Sequence, residues 1–218
     1  MQDNEIHNAI KILRSVTRDW TMPYVTELAR ALNDPFRVLI STMLSLRTKD
    51  AVTATASKRL FALANSPTAM LKLDAREIEK AIYPVGFYRT KARNILTVCR
   101  EIMERYKGSV PDDIDALVAL PGVGRKTANL VITLGFGKPG ICVDTHVHRI
   151  TNRWGYVSTK SPEKTESVLR SKLPRVYWNE ISEELSELGD RYCLPRWPKC
   201  LSCPVGTYCD RVGVIRYQ

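Results

Sequence analysis

Four cysteines towards the C-terminal end of the sequence restrict the fold more than any other feature of the chain. Cys193, Cys200, Cys203 and Cys209 form a C-x6-C-x2-C-x5-C pattern within 17 residues. Four thiolates are a complete ligand set for either a zinc ion or a [4Fe–4S] cluster. Structural zinc sites usually use two C-x2-C pairs separated by a longer stretch, and only Cys200 and Cys203 form such a pair. The spacing therefore favours a [4Fe–4S] cluster in one wrapped loop, residues 193–209, over zinc.

The size and charge of the chain indicate a globular protein with a polyanionic partner. Its 218 residues are enough to bury a full core, as one large domain or two small ones. The 33 Lys and Arg residues exceed the 23 Asp and Glu residues, which gives a formal charge of +10. A charge of this size favours a nucleic acid as the partner first and an anionic membrane second.

The sequence shows no sign of export or of membrane insertion. No apolar segment reaches the ~18 residues of a membrane span, and the polar start Met1–Glu5 lacks the basic and apolar regions of an export signal. We therefore expect a cytoplasmic, nucleoid-associated protein without membrane contact. Reduced thiols in that compartment disfavour a disulfide framework and favour metal ligation. Cys99 and Cys142 stand among apolar residues, and we expect both in the core.

Helix start signals recur along the chain, whereas strand signals are nearly absent. Asp34-Pro35, Ser66-Pro67 and Ser161-Pro162 each place a capping side chain before a proline at the first helical position. Asp74 and Glu77 have the spacing of a capping box. Helical patterning predicts helices over about 36–46, 89–106, 113–120 and 178–190. The sequence therefore predicts an all-α protein.

The segment Leu120–Leu130, with the sequence LPGVGRKTANL, predicts two helices joined by a tight hairpin. Pro121 disfavours continuation of the first helix. Gly122 and Gly124 can take positive φ and expose backbone amides. These amides, together with the start of the helix near Arg125, would bind a phosphate without reading base sequence. An ordinary helix–helix turn is the alternative.

Lys126 and Asp144 give this region a candidate chemistry. Lys126 falls on the first turn of the helix after the hairpin, where the helix dipole and nearby amides disfavour a charged ammonium. An uncharged lysine is a nucleophile that forms Schiff bases with carbonyl carbons. Asp144, in the segment Val143–Arg149, stands where the N-cap of another helix would be. A solvated lysine and a purely capping aspartate are the alternative roles.

Together these motifs resemble the endonuclease III branch of the helix–hairpin–helix DNA glycosylases. Leu120–Leu130, Val143–Arg149 and the cysteine spacing occur in the family's order, and Asn33–Asp50 and Tyr83–Lys91 also match family segments. The resemblance therefore covers nearly the whole chain.

The resemblance implies a two-domain helix–hairpin–helix architecture with DNA held between the domains. A six-helix domain containing the hairpin would span residues 23–138. A second helical domain, which carries the iron–sulfur loop, would combine residues 1–22 with residues 139–218.

For the chemistry, the resemblance implies a bifunctional DNA glycosylase and abasic-site lyase that removes oxidised pyrimidines. Lys126 would attack C1′, Asp144 would be the essential carboxylate, and β-elimination through the Lys126 Schiff base would cut the strand. The four cysteines would hold a mainly structural [4Fe–4S] cluster whose loop directs Arg196 and Lys199 towards phosphate. The partner would be double-stranded DNA with damaged bases or abasic sites, bound by a monomer.

The resemblance further implies that two side chains enter the duplex when the damaged nucleotide leaves it. Phe87 matches the wedge position. Arg47 stands where many members have glutamine, and arginine brings a charged planar fork that pairs with guanine, stacks, or binds a phosphate. Arg47 therefore bears on the preference for the opposite base. Gly122, Gly124 and Arg125 would contact the DNA backbone.

Two other functions remain open at this point. A monofunctional mismatch glycosylase of the same superfamily would keep the aspartate and the cluster but lack a lysine at position 126. A noncatalytic DNA-binding module would use the hairpin and the cluster only as a scaffold. The presence of both Lys126 and Asp144 favours the bifunctional enzyme.

Overall fold

The computed structural model describes residues 1–16 and 22–218, and none of these residues lies in a β-strand. Its α-helices are α1 (Ile6–Val16), α2 (Tyr24–Leu32), α3 (Pro35–Ser45), α4 (Asp50–Leu63), α5 (Pro67–Met70), α6 (Ala75–Ile82), α7 (Tyr88–Tyr106), α8 (Ile114–Val118), α9 (Arg125–Leu130), α10 (Thr145–Arg153), α11 (Pro162–Lys172) and α12 (Ile181–Arg191). The all-α prediction is confirmed. No helix in this part of the chain is both long and apolar enough to cross a membrane.

The chain divides into two compact units, Met22–Gly140 and Met1–Thr21 with Ile141–Gln218. Each unit buries a hydrophobic core of its own. The Met22–Gly140 unit contains α2 to α9, of which α5 and α8 are short segments of four and five residues. The domain boundaries inferred from the sequence stay a prediction, and residues 17–21 of the 1–22 segment lie outside the described residues.

Helix α3 forms the centre of the Met22–Gly140 unit. Eight of its eleven residues are buried, as in a helix that is hydrophobic on nearly all sides. Helices α2, α4, α7 and α9 pack around it, together with a π-helical turn, Val131–Gly135, that continues α9. The Asp34 carboxylate accepts hydrogen bonds from the amides of Phe36 and Arg37 at 3.0 and 3.1 Å. This N-cap confirms the predicted start of the helix.

In the other unit, α1 presents one apolar face. Its buried residues, Ile6, Ala9, Ile10 and Leu13, have helical spacing. Helix α12 packs against α1 and also against α10, which in turn contacts α11. The cysteine loop follows α12 and contains short 3-10 turns at Cys200–Ser202 and Gly206–Tyr208.

The predicted capping residues are confirmed, whereas two predicted helix bounds, the end of α8 and the start of α12, differ from the structure by two residues or more. Ser66 and Ser161 cap α5 and α11, and Asp74 forms the expected capping box with Glu77. Helix α8 ends at Val118, before the predicted Leu120, because the chain tightens there and the Leu120 amide donates to Leu117 O at 3.1 Å.

The last long helix also begins later than its pattern predicts. Helix α12 starts at Ile181 and not at Trp178. A 3-10 turn, Arg175–Tyr177, precedes Trp178, whose indole Nε1 donates to Leu173 O at 2.9 Å. Cys99 and Cys142 are buried, as expected.

We expect Leu39→Ala to lower the free energy of unfolding by about 2–5 kcal/mol, since it leaves a cavity in a fully buried position of α3. Leu32→Ala in α2 is the matched control, because the Leu32 side chain is exposed and such changes stay within about 0.5 kcal/mol. Denaturant unfolding followed by circular dichroism measures both. Equal effects of the two changes would contradict the central position of α3.

Candidate functional site

The hairpin of the predicted motif lies between α8 and α9. The Val123 amide donates to Leu120 O at 3.1 Å and closes the turn. Gly122 has φ +78°, a backbone conformation that favours glycine, and a Cβ at this position would stand 2.5 Å from Asn94 Nδ2 and displace that side chain. Gly124 differs from the expectation: its φ is −90°, and no atom lies within 4 Å of a Cβ built there. The backbone at Gly124 is therefore open to close approach.

Lys126 is the second residue of α9 and its side chain is exposed. The residue before it, Arg125, has its guanidinium 3.7 Å from Asp115 Oδ1, and its carbonyl accepts from Asn129 Nδ2 at 3.1 Å. Thr127 and Ala128 are buried beneath them. The buried face of α9 thus fixes the helix, and Lys126 projects from the face that water reaches.

Asp144 is the N-cap of α10, as predicted. Its Oδ1 accepts from the amides of His146 and Val147, both at 2.9 Å, and the hydroxyl of Ser186 lies 3.4 Å from Oδ2. These charge-assisted bonds stabilise the carboxylate and hold it in one orientation. Lys126 belongs to the Met22–Gly140 unit and Asp144 to the other.

Arg47 and Phe87 are brought together in the Met22–Gly140 unit. The guanidinium carbon of Arg47 lies 5.6 Å from the centre of the Phe87 ring, a cation–π distance. Both side chains are exposed, Phe87 to 63%. Both residues have left-handed backbones, with φ of +53° and +58°. Non-glycine residues in this conformation cost of order 1–3 kcal/mol each and cluster at functional sites.

The four cysteines of the predicted loop line one cavity. Within the described residues, no three His, Cys, Asp or Glu side chains are arranged to hold a metal ion. Burial raises the pKa of the Cys203 thiol to about 11 and also raises those of Cys200 and Cys209. Four thiols around one cavity supply the number of ligands that a [4Fe–4S] cluster requires.

Two arginines of α10 hold the start of this loop, and the sequence reading missed both. Arg153 donates to Leu194 O at 2.7 Å, to Pro195 O at 2.9 Å, and to Cys193 Sγ at 3.3 Å. Arg149 donates from Nε to Cys193 O at 2.9 Å. Their i, i+4 spacing, which places both on one face of α10, was the available signal.

Arg196 and Lys199 are exposed on the cysteine loop, as their predicted role requires. The Lys199 amide donates to Tyr192 O at 2.8 Å, which fixes the loop backbone beside α12.

Comparison with known proteins identifies the family. Residues 40–175 match the model of the HhH-GPD superfamily base excision DNA repair protein. The chain is 47% identical to the endonuclease III of Thermotoga maritima over 177 residues, which cover 81% of this chain and 83% of that protein. The chain belongs to the endonuclease III family. The resemblance read from the sequence is confirmed.

Solved structures of related proteins extend the likeness to nearly the whole chain. One is a trapped covalent intermediate of endonuclease III with DNA, in an estranged-adenine complex, with a TM-score of 0.83, 33% identity and 97% coverage of both chains. Another is a thermostable thymine-DNA glycosylase, with a TM-score of 0.81, 25% identity and 96% coverage of both. The match to the HhH-GPD superfamily model contains Lys126 and Asp144, whereas the cysteine loop lies beyond residue 175.

Substitution of Asp144 separates its capping role from any chemical role. Asp144→Ala should lower the stability by about 1 kcal/mol, because two amides of α10 lose their acceptor. Asp144→Asn keeps an acceptor oxygen and should melt close to the wild type in thermal unfolding followed by circular dichroism. A melting temperature of Asp144→Asn as low as that of Asp144→Ala would show that the cap needs the charge.

Proposed function

We propose that this protein is a bifunctional DNA glycosylase and abasic-site lyase of base excision repair. The observation that carries the proposal is Lys126, an exposed amine on the first turn behind the glycine hairpin, in a chain of the endonuclease III family. The trapped covalent endonuclease III–DNA intermediate among its structural relatives supports chemistry by covalent attachment to DNA. A purely noncatalytic module would have no need of such an amine.

The proposed reaction begins with a damaged nucleotide outside the base stack, since no side chain reaches C1′ within a duplex. The Lys126 amine forms a bond to C1′ while the bond from C1′ to the base breaks, and the base leaves with that electron pair and gains a proton. The sugar ring then opens to give a Schiff base with Lys126. The iminium acidifies a C2′ proton, whose removal expels the 3′ phosphate. Water finally releases the lysine.

Asp144 is proposed to stabilise the positive charge that develops on the sugar and to assist proton transfer. Its orientation is set before any substrate arrives, because Oδ1 is bound to two amides of α10. A preorganised carboxylate stabilises a cationic transition state without reorganisation during the reaction. An aspartate on a mobile loop would lack this advantage.

The DNA contacts are proposed from exposure and charge. The hairpin, with Gly122, Gly124 and Arg125, would bind the backbone of the duplex, and Gly124 has the open space that close approach needs. Arg196 and Lys199 would add phosphate contacts from the cysteine loop. Such contacts fix position and do not read sequence, and the net charge of +10 supports them.

The cysteine cavity is proposed to hold a [4Fe–4S] cluster bound by Cys193, Cys200, Cys203 and Cys209. When bound, the cluster would supply four covalent cross-links to one short loop, a mainly structural role. Arg153 would support that role, since it donates to Cys193 Sγ at 3.3 Å and to the carbonyls of Leu194 and Pro195 at the start of the loop.

We further propose oxidised pyrimidines as the damaged bases, a monomer as the active form, and a cytoplasmic, nucleoid-associated location. The domains would be 23–138 and 1–22 with 139–218. Arg47, in place of the usual glutamine, would alter the preference for the base opposite the lesion.

Borohydride trapping on a duplex that holds a single thymine glycol tests the mechanism. We expect Lys126→Ala to abolish the trapped adduct, because the nucleophilic amine is gone. Lys80→Ala is the control, since it removes an exposed lysine of α6 in the same unit. Asp144→Asn should bind the duplex normally and lose most base removal, since an amide cannot stabilise the developing cation. An adduct formed by Lys126→Ala at the wild-type rate would contradict the assignment of the nucleophile.

The same experiment separates the alternative functions. Strand cleavage by the wild type only after alkali, with no trapped adduct, would indicate a monofunctional glycosylase. Binding without either reaction would indicate a noncatalytic module.

Iron and sulfide analysis tests the cluster. We expect a yellow-brown protein with about four iron ions per chain, and serine at any of the four loop cysteines should lower both the iron content and the soluble yield. Cys142→Ala is the control, because Cys142 is buried outside the cysteine cavity and should not change the iron content. A colourless protein with one bound zinc ion would overturn the proposal.

A further inference from the structure

Lys91 is a buried lysine to which the proposed reaction gives no role. It is the fourth residue of α7 and is only 8% exposed. Its ammonium donates to Leu44 O at 2.8 Å, to Leu46 O at 2.6 Å and to Thr48 Oγ1 at 3.3 Å. Burial lowers the pKa of Lys91 to about 8, whereas three acceptors for three N–H groups favour the charged form.

The acceptors of Lys91 stand where α3 ends. The last carbonyls of a helix have no partner within the helix and carry the negative end of its dipole. Lys91 therefore caps α3 from another helix, and its buried ammonium is tolerated because it donates to these carbonyls. The next residue of the chain after Leu46 is Arg47, which turns out of the helix with φ +53°.

Thr48 extends this network to a second loop. Its Oγ1 lies 3.3 Å from the Lys91 ammonium and accepts from the Gly86 amide at 3.2 Å. A Cβ at Gly86 would stand 2.7 Å from Arg47 O, so the two backbones touch at a point where only glycine fits. Phe87 follows Gly86 directly. The network thus joins the loop of Arg47 to the loop of Phe87.

The side chains of Arg47 and Phe87, at the two ends of this network, form a stacked pair. Arg47 and Phe87 stack on each other, and both are exposed. Both also line a cavity with Asn94 of α7 and Gly122 of the hairpin. Both backbones are in the costly left-handed conformation. Unless they were held, these residues would relax to ordinary φ values and the pair would separate.

We propose that Lys91 is a positioning residue that holds Arg47 and Phe87 as a preassembled pair, which fills the duplex when a damaged nucleotide leaves the stack. The proposal rests on the proposed function for its DNA substrate and assigns Lys91 an indirect role, since its ammonium is bound by Leu44, Leu46 and Thr48 of the protein itself. Its effect is preorganisation, since a pair that is ordered before binding loses less conformational entropy on entering the DNA. The DNA partner is a duplex with a gap in its stack, and a single strand, which has no such gap, does not need the pair.

The test compares duplex with single-stranded DNA that contains one abasic site. Single-turnover borohydride trapping measures the rate on each. We expect Lys91→Met to slow the duplex reaction about tenfold or more, by misplacing the pair, while the single-strand rate stays close to that of the wild type. Arg100→Met is the charge-matched control, because Arg100 is an exposed cation on the same helix. It should leave the duplex-to-single-strand ratio unchanged.

A second readout needs no chemistry. Fluorescence of 2-aminopurine opposite a tetrahydrofuran abasic analogue reports disturbance of the stack. The rise in fluorescence on binding should be lost in Lys91→Met and kept in Arg100→Met. In a Phe87→Ala background the Lys91→Met change should have little further effect, since both act through the same pair.

The outcomes separate this inference from the proposed function. Absence of trapping by the wild type would contradict the proposed function, while the fluorescence still tests Lys91. A Lys91→Met protein with the wild-type rate ratio and the wild-type fluorescence rise would overturn the positioning role. If Lys91→Met does not fold by circular dichroism, Thr48→Val serves instead, because it removes the link to Gly86 and keeps the shape of the side chain. An unchanged ratio and fluorescence in Thr48→Val would then overturn the proposal.

Discussion

The ends of α-helices leave backbone amides and carbonyls without partners. In each unit of this protein a charged side chain supplies such partners beside residues of the proposed site. Asp144 accepts from two amides at the start of α10. Lys91 donates to two carbonyls at the end of α3. The helix dipole favours both, the anion at an N-terminus and the cation at a C-terminus. Because these bonds fix one orientation, the same interactions that complete the helices also place the carboxylate and the Arg47 loop.

Helix α10 connects two parts of its unit that are distant in sequence. Asp144 caps its start, while Arg149 at its middle and Arg153 at its end donate to the backbone of the cysteine loop about 40 residues further along. The loop backbone between Cys193 and Pro195 therefore takes its position from α10. A cluster held by the four cysteines would in turn restrain those carbonyls. Loss of such a cluster would then reach Asp144 through α10, so that in the proposed enzyme a mainly structural cofactor would bear on catalysis.

The features that the sequence predicted correctly are those fixed by nearby residues. Asp34, Ser66 and Asp74 cap their helices because their partners lie two or three positions away, and the hairpin after α8 follows from its proline and glycines. Lys91 could not be recognised in this way, since its acceptors lie more than 40 residues earlier in the chain and its neighbours on α7 are ordinary helix formers. The left-handed backbones of Arg47 and Phe87 were equally hidden, because neither residue is glycine or asparagine. Long-range packing imposes these conformations, and local propensity opposes them.

Gly86 shows how long-range packing overrides local backbone propensity in these two loops. Its own φ is ordinary, so no turn requires glycine there; the requirement is the Arg47 carbonyl, which a Cβ would approach to 2.7 Å. Because Gly86 has no side chain, the loop of Arg47 and the loop of Phe87 can touch. Thr48 Oγ1 therefore accepts from both the Gly86 amide and the Lys91 ammonium. The strain in Arg47 and Phe87 is then offset by hydrogen bonds that neither residue makes with its side chain. A strained pair supported by its surroundings would be ordered before DNA arrives, which is the property that the proposed insertion into a base stack needs.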